Sequence, residues 1–230
     1  IYALINADLT YAEQNLPIVW EAKYAGRANK WAAKALHAKV LLQQRNYSQS
    51  LAICRDIIAN GPYSLITDYW KMFKKEGELC SESIFEIQAA KTAGDGNTYW
   101  SRLGQCQGVR GSGTWDLGWG WDTPTSNLVG TYEAGDVRKD ATILFSNQSD
   151  GGTNTGGYGL VVPNLTNALY WNKKVYNQYS DYLAAGLGTP ENESQNTWVN
   201  QRVLRLSDVL LMGAEAANET GAGNPDAVTW

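Results

Sequence analysis

Apolar residues recur at intervals of three and four positions in four stretches of the chain, three near the amino terminus and one near the carboxy terminus. This spacing puts the apolar side chains on one face of a helix. It predicts helices over residues 1–16, 27–46, 47–59 and 202–219. Pro17 ends the first helix, and Gly61 and Gly221 follow the third and the fourth.

The segment between residues 66 and 201 has a different pattern. ESIFEIQ at residues 82–88 alternates apolar and polar positions, which predicts a short strand. Most of the remainder is polar and rich in Gly, Asn, Thr and Trp, and SDGGTNTGGYGL at residues 149–160 holds too many glycines for a regular element. Loops of this length in a compact domain are typical of functional surfaces. We therefore expect helices at the start of the chain, a loop-rich region in the middle, and helices again at the end.

The second and third predicted helices match part of a tetratricopeptide repeat. Counting from Trp31, small residues stand at the eighth position, Ala38, and at the twentieth, Ser50, and a proline stands at the thirty-second, Pro62. Small residues at these positions let two helices approach closely, so the motif concerns packing rather than chemistry. Cys54 stands where the repeat usually has a different residue, and its apolar helical face predicts a core position.

Composition excludes several classes of function. The formal net charge is −4, with 19 basic and 23 acidic residues, and no basic patch suggests nucleic acid as a partner. No apolar run approaches the roughly 20 residues of a membrane span. Three cysteines and one histidine, without a CxxC pair, do not make a zinc site. A P-loop, HExxH and GxSxG are all missing from the sequence, so we predict a protein that is not an enzyme and that needs no cofactor.

The aromatic residues are the unusual feature, with 10 Trp and 13 Tyr against 3 Phe. Trp and Tyr combine an apolar face with a polar edge, and the C–H faces of sugar rings stack on such side chains. Candidates for sugar contact fall in two polar loops and are Asn97, Tyr99, Trp100, Trp115 and Trp119. Trp119 and Trp121 are expected to share one face of an extended segment, and some of these tryptophans to pack beneath the loops.

A cluster of charges lies between residues 136 and 140. We expect Asp136 and Arg138 to pair with each other, or with backbone, at a turn that enters the strand-like run ATILF. The alternative is a carboxylate couple of Asp136 and Asp140 for glycoside hydrolysis, which requires one acid with a raised pKa. Arg138 and Lys139 would lower the pKa of both carboxyls instead, which favours the structural interpretation.

A second pair of charges falls in the last predicted helix. Arg205 and Asp208 lie three residues apart there, a spacing that allows a local ion pair. The apolar run that follows them indicates a buried helix whose role is packing rather than ligand contact.

Four segments in order resemble the SusD/RagB family, which comprises glycan-capturing lipoproteins of the outer membrane. They are INADLTYAEQNLP, GRANKWAAKALHAKVLLQQRNYSQSLAICRDIIANGPYSL, PTSNLVGTYEAGDVRKDATI with WNKKVY after it, and VLRLSDVLLMGAEAANETG. The resemblance implies a mainly α, SusD-like fold with tetratricopeptide-type helix pairs and a large, irregular, loop-rich glycan-binding face. It divides one SusD-like domain into a helical part at 1–65, a ligand-binding region at 66–201 and a return to the helical part at 202–230. It also implies a fragment, with the lipidated amino-terminal part and the last helices outside it.

The same resemblance implies a function. The protein would bind oligosaccharide or polysaccharide at the cell surface without turnover and pass it to a SusC-type TonB-dependent transporter. It would be held at the outer membrane by a lipid anchor outside this chain. Tyr99 and Trp100 match the position of a family loop that contacts glycan. A tetratricopeptide-type scaffold that binds peptides, and a glycosidase, are the alternatives.

Overall fold

The computed structural model describes residues 1–91, 98–99, 101–184, 198–221 and 223–230, with the backbone alone at 91, 98–99 and 182–184. Within these residues the chain forms nine α-helices. They are α1 (Tyr2–Asn15), α2 (Lys30–Gln43), α3 (Tyr47–Asn60), α4 (Leu103–Gln107), α5 (Ser126–Thr131), α6 (Val137–Thr142), α7 (Tyr179–Ala184), α8 (Leu206–Thr220) and α9 (Asp226–Thr229).

Strands are short and pair two by two over the same part of the chain. They are β1 (Ser83–Ile87), β2 (Ala90–Lys91), β3 (Thr98–Tyr99), β4 (Ile143–Phe145), β5 (Tyr170–Asn172) and β6 (Gln201–Arg205). β1 pairs with β6, β2 with β3, and β4 with β5. The last two pairs are antiparallel. None of the described helices is both long enough and apolar enough to span a membrane.

The chain divides into two compact units. The first, the helical unit, comprises Ile1–Ile66, Leu79–Ile87 and Arg202–Trp230. The second, the loop unit, comprises Thr67–Glu78 and Gln88–Gln201. The assignment of all these segments to a single SusD-like domain stays a prediction.

Close helix packing builds the core of the helical unit. Ala35, Ala38 and Ala216 are fully buried where α2, α3 and α8 meet. The Ser50 hydroxyl donates a hydrogen bond of 2.9 Å to the Ala38 carbonyl, so the two small residues of the repeat motif do bring α2 and α3 together. Cys54 is also fully buried, as predicted, and burial raises the pKa of its thiol to about 12.

The predicted helix at 202–219 is wrong over its first four residues. Residues 201–205 form β6, and α8 begins only at Leu206. Leu204 is buried while Val203 is 41% exposed, which is strand alternation. Pairing with β1 provides hydrogen-bond partners for the backbone of β6. Directly after the strand, the Leu206 N–H donates to the Glu82 carbonyl at 2.9 Å. A tertiary partner therefore overrides a local pattern that a helix could also have satisfied.

The expected ion pair between Arg205 and Asp208 is also wrong. Because Arg205 ends a strand, its guanidinium reaches Glu82 at 2.8 Å instead. Asp208 pairs with Lys39 of α2 at 3.1 Å.

The loop unit has its own apolar core. Six buried residues form it, namely Val109, Leu117, Leu144, Val162, Trp171 and Tyr176. Next to this core two glycines, Gly108 and Gly118, bring two backbone segments together. A Cβ on Gly118 would lie 2.6 Å from the Gly108 Cα and 2.7 Å from the Gly104 carbonyl oxygen. The chain after α4 therefore lies directly on α4, and it leads into Trp119 and Trp121.

The charge cluster at 136–140 caps the amino terminus of α6. The Asp136 carboxylate accepts from the Arg138 backbone N–H at 2.9 Å, which makes Asp136 the N-cap. The same carboxylate accepts three side-chain bonds from the Arg138 guanidinium, two from Nε at 2.9 and 3.1 Å and one from Nη2 at 2.6 Å. α6 then leads into β4. The predicted pair is confirmed. The strand-like run at 141–145 is a strand only over residues 143–145, because Ala141 and Thr142 end α6.

Gly118→Ala should destabilise the protein, because the new Cβ would meet backbone atoms that have no freedom to move aside. Overpacking of this kind costs about 1–3 kcal/mol. Thermal unfolding followed by circular dichroism would measure it. Gly130→Ala is the control, since a Cβ on this glycine of α5 meets nothing within 4 Å. It should leave the melting temperature unchanged or slightly raised. Equal melting temperatures for the two variants would contradict the close approach.

Asp136→Asn should keep the cap but lose the charge pair with Arg138. The guanidinium holds the pKa of the Asp136 carboxyl below its ordinary 3.8. A carboxyl whose pKa is lower in the folded state than in the unfolded state stabilises the fold. This contribution is fully present above the unfolded-state pKa and is lost as the pH falls through the folded-state pKa. The wild type should therefore exceed the variant in free energy of unfolding at neutral pH, and the two should converge below about pH 4. Urea titrations at several pH values test this, with Asp8→Asn on α1 as an exposed control.

Candidate functional site

The first predicted loop lies mostly outside what the structure describes. Asn97 and Trp100 are outside the described residues. Tyr99 ends β3 opposite Ala90 of β2, and its backbone alone is described. The roles of these three residues in sugar contact stay predictions.

Trp115 is part of the wall of the loop-unit core. It ends the short 3₁₀ turn Gly113–Trp115, is half-buried, and packs against the apolar cluster. Its indole stacks on the Tyr176 ring with centroids 5.8 Å apart and planes 8° from parallel. One face of the indole is therefore occupied, which agrees with the expectation that some of these tryptophans pack beneath the loops.

Trp119 and Trp121 together form an exposed aromatic surface, which we call the tryptophan platform. Their side chains are 38% and 57% exposed, and their ring centroids lie 4.8 Å apart with planes tilted by 49°. Gly120 between them has a φ of +68°, so this backbone turns rather than running extended. The two indoles are neighbours, as predicted, but a left-handed glycine brings them together rather than strand alternation.

Backbone hydrogen bonds hold the platform on the loop unit. The Trp119 N–H donates to the Gln105 carbonyl at 2.7 Å, and the Trp121 N–H donates to the Cys106 carbonyl at 2.8 Å. Gly120 lies directly on the buried Trp171, since a Cβ there would be 2.8 Å from the Trp171 ring. The indoles are thus displayed on a packed base, although the segment that carries them has no regular structure.

A polar edge borders the platform. The Asp122 carboxylate accepts from Gln107 Nε2 at 3.0 Å, and Gln107 Oε1 accepts from Asn172 Nδ2 at 2.8 Å. Asp122 has a φ of +53°, an uncommon conformation for a residue other than glycine, and one that recurs at binding sites. A planar amide and a carboxylate beside an apolar ring face are the groups that sugar hydroxyls and C–H faces require.

Sequence reasoning missed three members of this site, Trp121, Asp122 and Gln107. Asp122 directly follows the second tryptophan, and that adjacency was the available signal. Gln107 carried no signal, because only the fold of α4 against the following loop brings it to Asp122.

Asp136, at the start of α6, lacks the property that a catalytic carboxylate pair with Asp140 would require. The Asp136 carboxylate binds Arg138, and these bonds hold its pKa low. A general acid in glycoside hydrolysis needs the opposite shift.

Comparison with known proteins agrees with this picture. A family model described as the SusD family matches residues 81–230. SusD-like protein P25 of Formosa agariphila is 29% identical over 237 residues, which cover 95% of this chain and 44% of the relative. A SusD-like protein of Bacteroides ovatus is 27% identical over 94% of this chain and 40% of its own length. The chain therefore spans about half the length of the curated relatives that it matches.

Solved structures give the same fold. A laminarin binding SusD-like protein superposes with a TM-score of 0.75 at 26% identity, covering 98% of this chain and 51% of its own. Surface glycan-binding protein A from Bacteroides thetaiotaomicron, in complex with laminarihexaose, superposes with a TM-score of 0.73 at 25% identity, covering 99% of this chain and 51% of its own. These likenesses confirm the predicted mainly α, SusD-like fold. Since the family model covers well over half of the residues, the chain belongs to the SusD family.

Proposed function

We propose that the protein binds oligosaccharide or polysaccharide without turnover, with the tryptophan platform as a contact surface. The observation that carries the proposal is the exposed pair of Trp119 and Trp121 beside the carboxylate of Asp122 and the amide of Gln107. Aromatic rings take up the C–H faces of a sugar ring, and the polar edge takes up its hydroxyls. The solved relatives named above as laminarin binding, and as a complex with laminarihexaose, support a β-glucan as the first ligand to test.

The cellular role that we propose follows from family membership. The protein captures glycan at the cell surface and delivers it to a SusC-type TonB-dependent transporter. It is attached to the outer membrane as a lipoprotein, through an anchor outside this chain.

The two alternatives explain less of the molecule. A peptide-binding tetratricopeptide scaffold accounts for α2 and α3, but the exposed tryptophans lie in the loop unit and not on those helices. A glycosidase requires a carboxyl with a raised pKa, and Arg138 gives Asp136 the opposite shift.

Trp119→Ala and Trp121→Ala should each weaken binding of laminarihexaose. Stacking of a ring on an aromatic side chain is worth about 1–3 kcal/mol by analogy with base stacking, which is roughly a ten- to hundredfold change in Kd. Isothermal calorimetry would measure the loss. Tyr11→Ala is the matched control, since Tyr11 is an aromatic residue 67% exposed on α1 of the helical unit. Unchanged affinity in both platform variants, with folding intact, would remove the platform from the site.

Asp122→Ala should weaken binding while leaving the indoles in place, because it removes the carboxylate at the platform edge. Trp100→Ala should also weaken glycan binding if the first predicted loop contributes a stacking surface.

In every variant that binds, bound glycan should be recovered intact. Release of new reducing ends from laminarin by purified protein would contradict a role without turnover.

A further inference from the structure

A cavity of about 430 Å³ lies within the loop unit, apart from the platform. Its lining includes three aromatic residues, Trp70, Tyr158 and Trp198, and the polar residues Glu76, Asn177 and Asp181. It shares no lining residue with the platform or its polar edge. Its volume falls in the range of small-molecule sites, about 300–1,000 Å³, and the mixture of apolar walls with a few polar groups is typical of them.

Glycines let the loop at 149–160 form one wall of this cavity. Gly156 is buried with a φ of +74°, and a Cβ there would lie 3.3 Å from the Trp70 Cβ. Gly157 has even less space around it, since a Cβ there would lie 2.2 Å from the Asp150 carbonyl oxygen. Larger residues would push this loop away from Trp70 and open the cavity.

The buried Asp150 fixes the same loop in place. Its carboxylate accepts from the backbone N–H groups of Tyr158 and Leu160, at 3.0 and 2.9 Å, and from the Tyr176 hydroxyl at 2.9 Å. The ammonium of Lys173, itself buried, donates to the Asp150 carbonyl and to Thr155 Oγ1. The wall is thus formed before any ligand arrives, so little ordering entropy opposes binding.

The polar lining favours a neutral ligand with hydroxyl groups. The described lining includes two acidic residues, Glu76 and Asp181, and two basic ones, Lys74 and Lys75. Burial, followed by repulsion from Lys173, lowers the pKa of Lys74 to about 7. The lining residues that the structure describes therefore have no net positive charge at neutral pH and give an acidic sugar no electrostatic advantage. Asp181 accepts a bond of 3.2 Å from Gln178 and also bonds the Tyr158 side chain, and a carboxylate has about four acceptor positions.

We propose that this cavity is a second carbohydrate site, which takes one or two neutral sugar units. Trp70 and Trp198 supply apolar walls for the C–H faces of a ring, and Asp181, Glu76 and Asn177 supply acceptors and an amide for its hydroxyls. The site goes beyond the proposed function, because a glycan held at both the platform and the cavity is bound at two points. Two linked contacts raise overall affinity more than either contact alone.

The test uses the double variant Trp119→Ala/Trp121→Ala, in which the platform is removed. Laminaribiose and the methyl glycosides of glucose, galactose, mannose and xylose are titrated into it by calorimetry, with glucuronic acid as the anionic comparison. At least one neutral probe should bind, and glucuronic acid should bind more weakly. Adding Trp70→Ala should weaken binding of that probe at least tenfold.

A second variant guards against simple loss of folding in Trp70→Ala. Thr153 lines the cavity and is exposed, so Thr153→Trp should block it without removing any packing. Asn154→Trp is the matched control, because Asn154 is exposed on the same turn but does not line the cavity. Thermal unfolding confirms that each variant is folded.

Three results would overturn the inference. They are no binding of any neutral probe to the platform variant, tighter binding of glucuronic acid than of the neutral probes, and binding that survives both Trp70→Ala and Thr153→Trp. The proposed function fails separately, when platform substitutions leave laminarihexaose affinity unchanged in the otherwise wild-type protein.

Discussion

The buried carboxylate of Asp150 is the constraint on which the loop unit depends. A charge withdrawn from water is tolerated only when hydrogen-bond donors surround it. Here two backbone N–H groups and the Tyr176 hydroxyl do so. Satisfying one side chain therefore fixes the loop at 149–160, which contains five glycines and would otherwise lose much conformational entropy on ordering. Tyr176 also stacks on Trp115, so the same contact connects the loop to the apolar core.

The helical unit is stabilised in a different way. Its helices bury apolar faces against one another, and small residues at the α2–α3 contact let the backbones approach. Where β1 meets β6 the contact is charged instead, since Glu82 is buried against Arg205 and Glu86 against Arg202. Removing one partner of such a pair leaves a buried charge unpaired, which costs more than the pair itself contributes.

The two candidate ligand sites follow a common principle. Each displays aromatic faces on irregular backbone, and each irregular segment is held by hydrogen bonds and glycine contacts rather than by a helix or strand. The platform lies on α4 and on buried Trp171 through backbone bonds to Gln105 and Cys106. The cavity wall depends on Asp150 and on the close approach of Gly156 to Trp70. Rigid loops of this kind present a binding surface without ordering it at the moment of binding.

The sequence by itself determined α1, α2 and α3, because periodic apolar positions are local information and these helices lie where that pattern predicted them. It did not reveal the short helices α4 to α7, which fall in the segment predicted to be loop-rich. It also determined the cap at Asp136, since both partners are two residues apart. It placed Trp119 among the candidates for sugar contact and Trp121 beside it, but it could not supply Gln107, which meets Asp122 only through the fold. It was wrong at Arg205, where a strand partner from another part of the chain outweighed helical periodicity. The Trp70 cavity was decided by tertiary structure alone. Its walls come from segments far apart in the chain, and such contacts depend on packing and on satisfying buried charge, which no local pattern records.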